Sequence, residues 1–200
     1  MSANAEPSTC VRPTPKAEQL GIRTGLDDLR RMTYRIYHAT NTADLDTVAS
    51  LFREYAGELG VDLTFQRFDE EVASLPGDYG PPTGALLLAR TTDNEALGCV
   101  ALRPLAEHDT CEMKRLYVRP AERSLGVGRA LALAIINAAA ERGYRRIRLD
   151  TLPTLTMATA LYGSLGFAPS EAYYETPLAG TLFMAKEIGP PQPNSAGSSL

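Results

Sequence analysis

Residues 112–128, EMKRLYVRPAERSLGVG, limit more than any other stretch how this chain can fold. The first half alternates as a strand does, and the second half is a glycine-bearing turn. An alanine-rich helical pattern over 128–142 follows at once. A strand feeding a turn whose glycines open a helix is suited to holding an anion. The first turn of a helix has N–H groups without intrahelical partners and carries the positive end of the dipole. Glycine lets a ligand approach the backbone with no Cβ in the way. Residues 123–129 are therefore read as a site for a phosphate-bearing ligand, with Arg123 and Arg129 adding positive charge.

Two phosphate ligands compete for this turn. Gly126, Val127, Gly128, Arg129, Ala130 and Leu131 give two of the three glycines of the dinucleotide fingerprint, with Leu131 in the third place. Asp150 follows Gly128 by 22 residues, at the end of the next predicted strand, where a ribose-binding acid belongs. Against this, the eight residues Arg119 to Gly126 separate Val118 from Val127, whereas a dinucleotide turn follows its strand closely. The chain also shows one such βαβ unit and no second half. Read instead as R-x-x-G-x-G, the stretch RSLGVG resembles the acyl-CoA signature of the GCN5-related N-acetyltransferase (GNAT) family. LYVRP precedes it, GRAL follows it, and ALYGSLGF stands at 160–167, where the family's second motif belongs. The matches extend over about residues 96–187. A strand–turn–helix with no ligand does not account for Arg123, Gly126 and Gly128 occurring together with Tyr162.

The whole chain is compatible with one domain, since 200 residues with 44% hydrophobic content can bury a sizeable core. Residues 1–30 read as a tail, with Pro7, Pro13 and Pro15 among small polar residues and a short helix over 20–31. Residues 189–200, GPPQPNSAGSSL, read as a second tail, too poor in apolar groups to repay ordering. The domain is expected over 31–188. Its predicted elements begin with a strand over 33–39 and a helix over 43–59, capped by Asn41 or Thr42. That helix carries an apolar stripe of Leu45, Val48, Ala49, Leu51, Phe52 and Tyr55. A second helix over 65–75 stops before Pro76. Strands 85–91 and 96–103 form a hairpin turning at Asp93 and Asn94. Strand 111–118, helix 126–142, strand 145–150, helix 155–165 and strand 181–186 complete the chain. Early helices, an antiparallel run and then a βαβ unit make a mixed α+β sheet. The resemblance implies a central, mostly antiparallel twisted sheet of about six or seven strands, about four flanking helices and a βαβ unit that binds acyl-CoA.

Composition narrows the function classes. There is no run of 18 apolar residues to cross a membrane and no basic segment leading into an apolar run as in a signal peptide. Cys10, Cys99 and Cys111 show no metal spacing, and their low number suits a reducing, cytoplasmic compartment. His38 and His108 belong to no ligand cluster, so no metal is expected. Charge is divided along the chain: residues 41–80 hold nine acids and two bases, whereas 111–148 hold three acids and nine bases. The plain reading is two solvated faces. The functional reading is a basic half for an anionic cofactor and an acidic half that draws a cationic acceptor. Nucleic acid is disfavoured by a net charge of −4 and by basic residues with no interleaved aromatics.

What the resemblance implies chemically is transfer of an acetyl group from acetyl-CoA to a primary amine of a small molecule or peptide. The amine must lose a proton, the oxyanion needs a donor, and the leaving thiolate must be protonated. No G-x-S-x-G elbow or Cys–His pair occurs, which suits direct transfer. By resemblance Glu112 is the general base and Tyr162 the general acid. A salt-bridged strand glutamate paired with Lys114 or an arginine is the alternative for the first, and an amphipathic core tyrosine for the second. The backbone of Leu116, Tyr117 and Val118 is expected to hold the pantetheine arm as an added strand. The backbone N–H groups of Ser124, Leu125, Gly126, Val127, Gly128, Arg129 and Ala130, with the Arg123 charge, are expected on the pyrophosphate. Thr154 stands near where the family often has an asparagine on the pantetheine. The acceptor is expected to meet residues 41–80, the hairpin 85–103 and the loop 169–180 with Tyr173 and Tyr174. A non-catalytic acyl-CoA-binding module and a dinucleotide-binding protein are the rival functions, and a monomer or homodimer the expected state.

Overall fold

The computed structural model describes residues 33–189. In chain order the elements are β1 (Tyr34–His38), α1 (Thr42–Leu59), α2 (Phe68–Ala73), β2 (Ala85–Thr91) and β3 (Ala96–Pro104). There follow β4 (Thr110–Val118), α3 (Val127–Glu141), β5 (Arg146–Thr151), α4 (Thr156–Ser164), β6 (Ala168–Pro169) and β7 (Leu182–Glu187). The strands form one seven-stranded sheet in the order β1-β2-β3-β4-β5-β7-β6. Every neighbouring pair is antiparallel except β4 and β5. This is the mixed α+β sheet that the element order implied. The helix expected over 20–31, Cys10 and nearly all of both expected tails lie outside the described residues.

Both faces of the sheet are covered, which explains the unbroken apolar run of β2. On one face Leu86, Leu88, Cys99, Ala101 and Tyr117 pack with Val48, Leu51 and Phe52 of α1. On the other, Leu87, Ala89, Val100, Leu102 and Met113 pack with Val127, Leu131, Ile135 and Ala139 of α3. Helix α1 begins where Asn41 Oδ1 accepts the Asp44 N–H at 2.9 Å. It ends at Gly60, which is left-handed (φ 65) and returns its N–H to Ala56 O.

The helix expected over 65–75 is broken. Arg67 is left-handed (φ 56) between a 3-10 turn at Thr64–Gln66 and α2. Its N–H closes the turn onto Thr64 O at 2.9 Å, so the two segments cannot share one axis. The turn of the glycine motif is also more regular than expected, a 3-10 segment over Pro120–Leu125 closed by left-handed Gly126. Strand β6, absent from the periodicity, pairs Ala168 and Pro169 with Ala185 and Met184.

Two irregularities open the sheet at its centre. Between the pairs Ala101↔Lys114 and Cys99↔Tyr117, β4 holds one residue more than β3, and Arg115 takes a positive φ of 56°. This bulge bends and twists β4. Gly98 permits it, since a Cβ there would fall 2.3 Å from Tyr117 O. Pairing of β4 with β5 then stops at Glu112↔Arg148, while β5 stays paired with β7 as far as Thr151. Beyond Glu112 the two central strands part.

Candidate active site

The parted strands open into a cleft of about 470 Å³. Leu116, Tyr117 and Val118 line it from β4, and Tyr55, Glu58 and Leu59 from α1. Thr154, Leu155, Ala158, Leu161 and Tyr162 form the wall opposite. Met157, 80% exposed, stands at the rim.

Helix α3 points its start at this cleft. Its N-cap, Gly126, has φ 73, and no side chain caps the helix. The ladder begins with Ala130 N–H donating to Gly126 O at 3.1 Å, so Ala130 is already committed. The N–H groups of Val127, Gly128 and Arg129 precede that rung. A Cβ on Gly126 would meet open space, whereas one on Gly128 would touch Val118 and Leu161 side chains at 3.6 and 3.9 Å. The arginines at this end are tethered. Arg123 Nε donates to Val118 O at 3.0 Å, and its Nη2 pairs with Glu58. Arg129 Nη1 donates to Ser164 Oγ at 2.9 Å.

The divided charge of the sequence resolves into pairs. Arg119 meets Glu54 at 2.6 Å, Arg123 meets Glu58, and Arg115 meets Glu71 at 2.7 Å. Acids of α1 and α2 thus hold the basic strand and motif in place.

Tyr162 is 7% exposed and stacks edge-on with Phe167 at 5.9 Å. Its hydroxyl has no hydrogen-bond partner among the described residues. Burial pushes its phenol well above the ordinary value, so it remains protonated at neutral pH. Past Tyr162 the cleft narrows into an inner recess of about 60 Å³, reached by Gln66, Lys114, Arg115 and Asp150.

Glu112 lines neither space. It is 0% exposed, accepting from Arg103 Nε at 2.7 Å on one oxygen. The other oxygen accepts from Tyr173 Oη at 2.6 Å and Lys114 Nζ at 3.4 Å. Lys114 Nζ also donates to Asp150 Oδ1 at 3.2 Å. Burial, with the Glu112 charge second, drives the Tyr173 phenol far up, and burial with Asp150 does so for Tyr174. Leu116, Tyr117, Val118, Arg123, Gly126, Gly128, Arg129, Thr154 and Tyr162 thus share one cleft. Val127 is buried beneath it, and Leu125 is partly buried against the core. Gln66, Lys114 and Asp150 converge without a sequence signal for that role, because their numbering gives no hint of adjacency. Leu131, which takes the place of a third dinucleotide glycine, is fully buried in the core beneath the sheet.

Among the described residues no group of His, Cys, Asp and Glu could hold a metal ion, and no helix is long and apolar enough to cross a membrane. Residues 45–167 match the model of the acetyltransferase (GNAT) family. An uncharacterised N-acetyltransferase of Schizosaccharomyces pombe is 46% identical over 145 residues, covering 72% of this chain and 89% of that protein. The fold is similar to that of a GNAT-family acetyltransferase from Staphylococcus aureus, with a TM-score of 0.66 at 17% identity, over 78% of this chain and 100% of the other. It is also similar to that of the PaiA N-acetyltransferase of Thermoplasma acidophilum in complex with coenzyme A, with a TM-score of 0.61 at 20% identity, over 78% and 99%. Motif, parted strands and family match agree: this chain belongs to the GNAT family and is an N-acetyltransferase.

Proposed function

We propose that this enzyme moves an acetyl group from acetyl-CoA directly to a primary amine of a small molecule or peptide. The observation that carries the reading is the unpartnered Tyr162 hydroxyl, standing where the long cleft meets the inner recess. The residues fit an acyl-CoA. The stretch of β4 after Glu112, paired with β3 but no longer with β5, suits the amide-bearing pantetheine arm. The uncapped start of α3 suits the pyrophosphate, with Arg123 and Arg129 at hand. Thr154 lines the opposite wall, within reach of an arm laid along β4. The thioester supplies an activated acyl group, so no enzyme nucleophile is required.

Tyr162 then acts as the general acid, donating its phenolic proton to the departing sulphur. Glu112 serves the acceptor side indirectly. Its oxygens are engaged by Arg103, Lys114 and Tyr173, so any proton it takes must arrive through Tyr173 or Lys114. Calorimetric titration with acetyl-CoA and with NAD, followed by a thiol-release screen over amines, tests the reading. Acetyl-CoA is expected to bind and to turn over. Tighter binding of NAD overturns it, and acetyl-CoA binding without turnover of any amine leaves a binding module instead.

A further inference from the structure

We propose that Asp150 and Gln66 form the subsite that holds the acceptor's primary ammonium, carried on a compact carbon frame. This deepens the acetyl-transfer reading and rests on it. The inner recess is continuous with the acyl-CoA cleft: Tyr55, Leu116 and Tyr162 line both. An amine held in the recess can therefore be presented to an acyl group bound in the cleft.

The recess carries charges of both signs, and unfilled hydrogen-bonding capacity decides what it takes. Its cations are committed. Arg115 donates to both oxygens of Glu71 at 2.9 and 2.7 Å. Lys114 Nζ sits between Glu112 and Asp150. The acceptors are not. Gln66 Oε1 is buried with no partner among the described residues. Its amide orientation is set on the other side, where Nε2 donates to Tyr174 Oη at 3.4 Å. A carboxylate offers about four lone-pair directions, and at Asp150 Lys114 Nζ takes one, at 3.2 Å. The Asp150 side chain lines the recess and is 19% exposed, which leaves it capacity for further donors. A buried acceptor amide lining the same recess as a carboxylate with spare capacity calls for a multiple donor, and a primary ammonium has three N–H groups. Rings line the same recess, Tyr55 and Tyr162 among them, and an ammonium is attracted to aromatic faces.

The volume sets the size. About 60 Å³ is room for about four waters, at roughly 15 Å³ each. It admits an ammonium nitrogen with about three further heavy atoms, so it takes the ammonium end of a compact acceptor whose remainder lies towards the cleft, and no sugar ring. Two sources share that chemistry, a simple alkylamine and the α-ammonium of a small amino acid.

The test is a thiol-release assay of the full chain at saturating acetyl-CoA, with n-butylamine, L-alanine and kanamycin as acceptors. Turnover of n-butylamine or L-alanine in preference to kanamycin is expected, and the better of the two identifies the source. Preference for kanamycin overturns the proposal. So does failure of both compact amines in a protein that binds acetyl-CoA by calorimetry. Absence of acetyl-CoA binding overturns the parent reading instead. For the accepted amine, Asp150→Asn is expected to raise KM about tenfold or more, as befits a lost charged hydrogen bond, with acetyl-CoA affinity unchanged. Gln66→Leu, which leaves the Lys114 pair intact, is expected to raise the same KM about threefold to tenfold without changing the melting temperature. An unchanged KM in both variants overturns the assignment.

Discussion

Tyr162 concentrates the chemistry at the residue scale. Its ring is held by Phe167, and its hydroxyl is free to donate. Tyr162→Phe keeps the ring and removes the proton. Acetyl-CoA affinity is expected to hold while kcat falls by ~10²–10⁴-fold, the usual span of a general acid. Single-turnover kinetics read the chemical step directly, and a loss of no more than about twofold would make Tyr162 a packing residue. Gly126 acts differently. Its φ of 73° is a backbone state that costs an ordinary residue roughly 1–2 kcal/mol, and it turns the chain into α3 at the point where the anion site lies.

At the scale of elements, the bulge in β4 is what makes a site out of a sheet. Gly98→Ala would drive a methyl into Tyr117 O, so the strands must separate or the bulge must shift. A cost of about 1–3 kcal/mol is expected, as for other overpacked sites, together with weaker acetyl-CoA binding because Tyr117 lines the cleft. Asn41→Ala is the contrasting variant. It removes the cap of α1 and is expected to cost about 1 kcal/mol with acetyl-CoA affinity retained. Urea unfolding and calorimetry on both proteins check the pair. Equal effects on affinity would separate the bulge from the site.

Across the whole molecule, ion pairs tie the N-terminal helices to the central strand, and their contributions depend on pH. Glu71 is buried, which by itself raises its pKa, but the two hydrogen bonds and the charge of Arg115 outweigh burial and hold it below the ordinary carboxylate value. Glu54 is lowered as well, by its hydrogen bond to Arg119, in a more exposed and therefore weaker pair. A carboxyl depressed in the fold binds fewer protons there than in the unfolded chain. Its stabilisation is complete above the ordinary value of 4.5 and is lost as pH falls towards the folded value. Urea unfolding between about pH 7 and pH 3 is expected to show stability dropping below about 4.5. Glu71→Gln is expected to flatten part of that drop and to cost about 3 kcal/mol or more at neutral pH, since Arg115 is left buried without its anion. An unchanged slope would mean that the pair contributes nothing to acid sensitivity.

Local physics was legible in the sequence. Hydrophobic periods located α1, β2, β3, β4, α3, β5, α4 and β7 to within a few residues, because burial of a face repeats along a helix or strand. The glycine turn and Tyr162 were legible because φ preference and motif order are properties of neighbours in the chain. Arg67 broke a predicted helix because periodicity carries no information about a single left-handed residue. Only the tertiary structure decided which charges meet. The acidic and basic halves were visible as composition, but their pairing as Glu54 with Arg119, Glu58 with Arg123 and Glu71 with Arg115 follows from α1 and α2 lying across β4. For Glu112 the sequence left open a general base or a strand glutamate paired with Lys114 or an arginine; the fold supplies the pairs with Lys114 and Arg103 and adds Tyr173 from a distant loop. Lys114 and Asp150 meet because β4 and β5 lie side by side and then part, and Gln66 joins them from the 3-10 turn before α2. That separation comes from one extra residue in a strand, a long-range matter of register that no local pattern encodes.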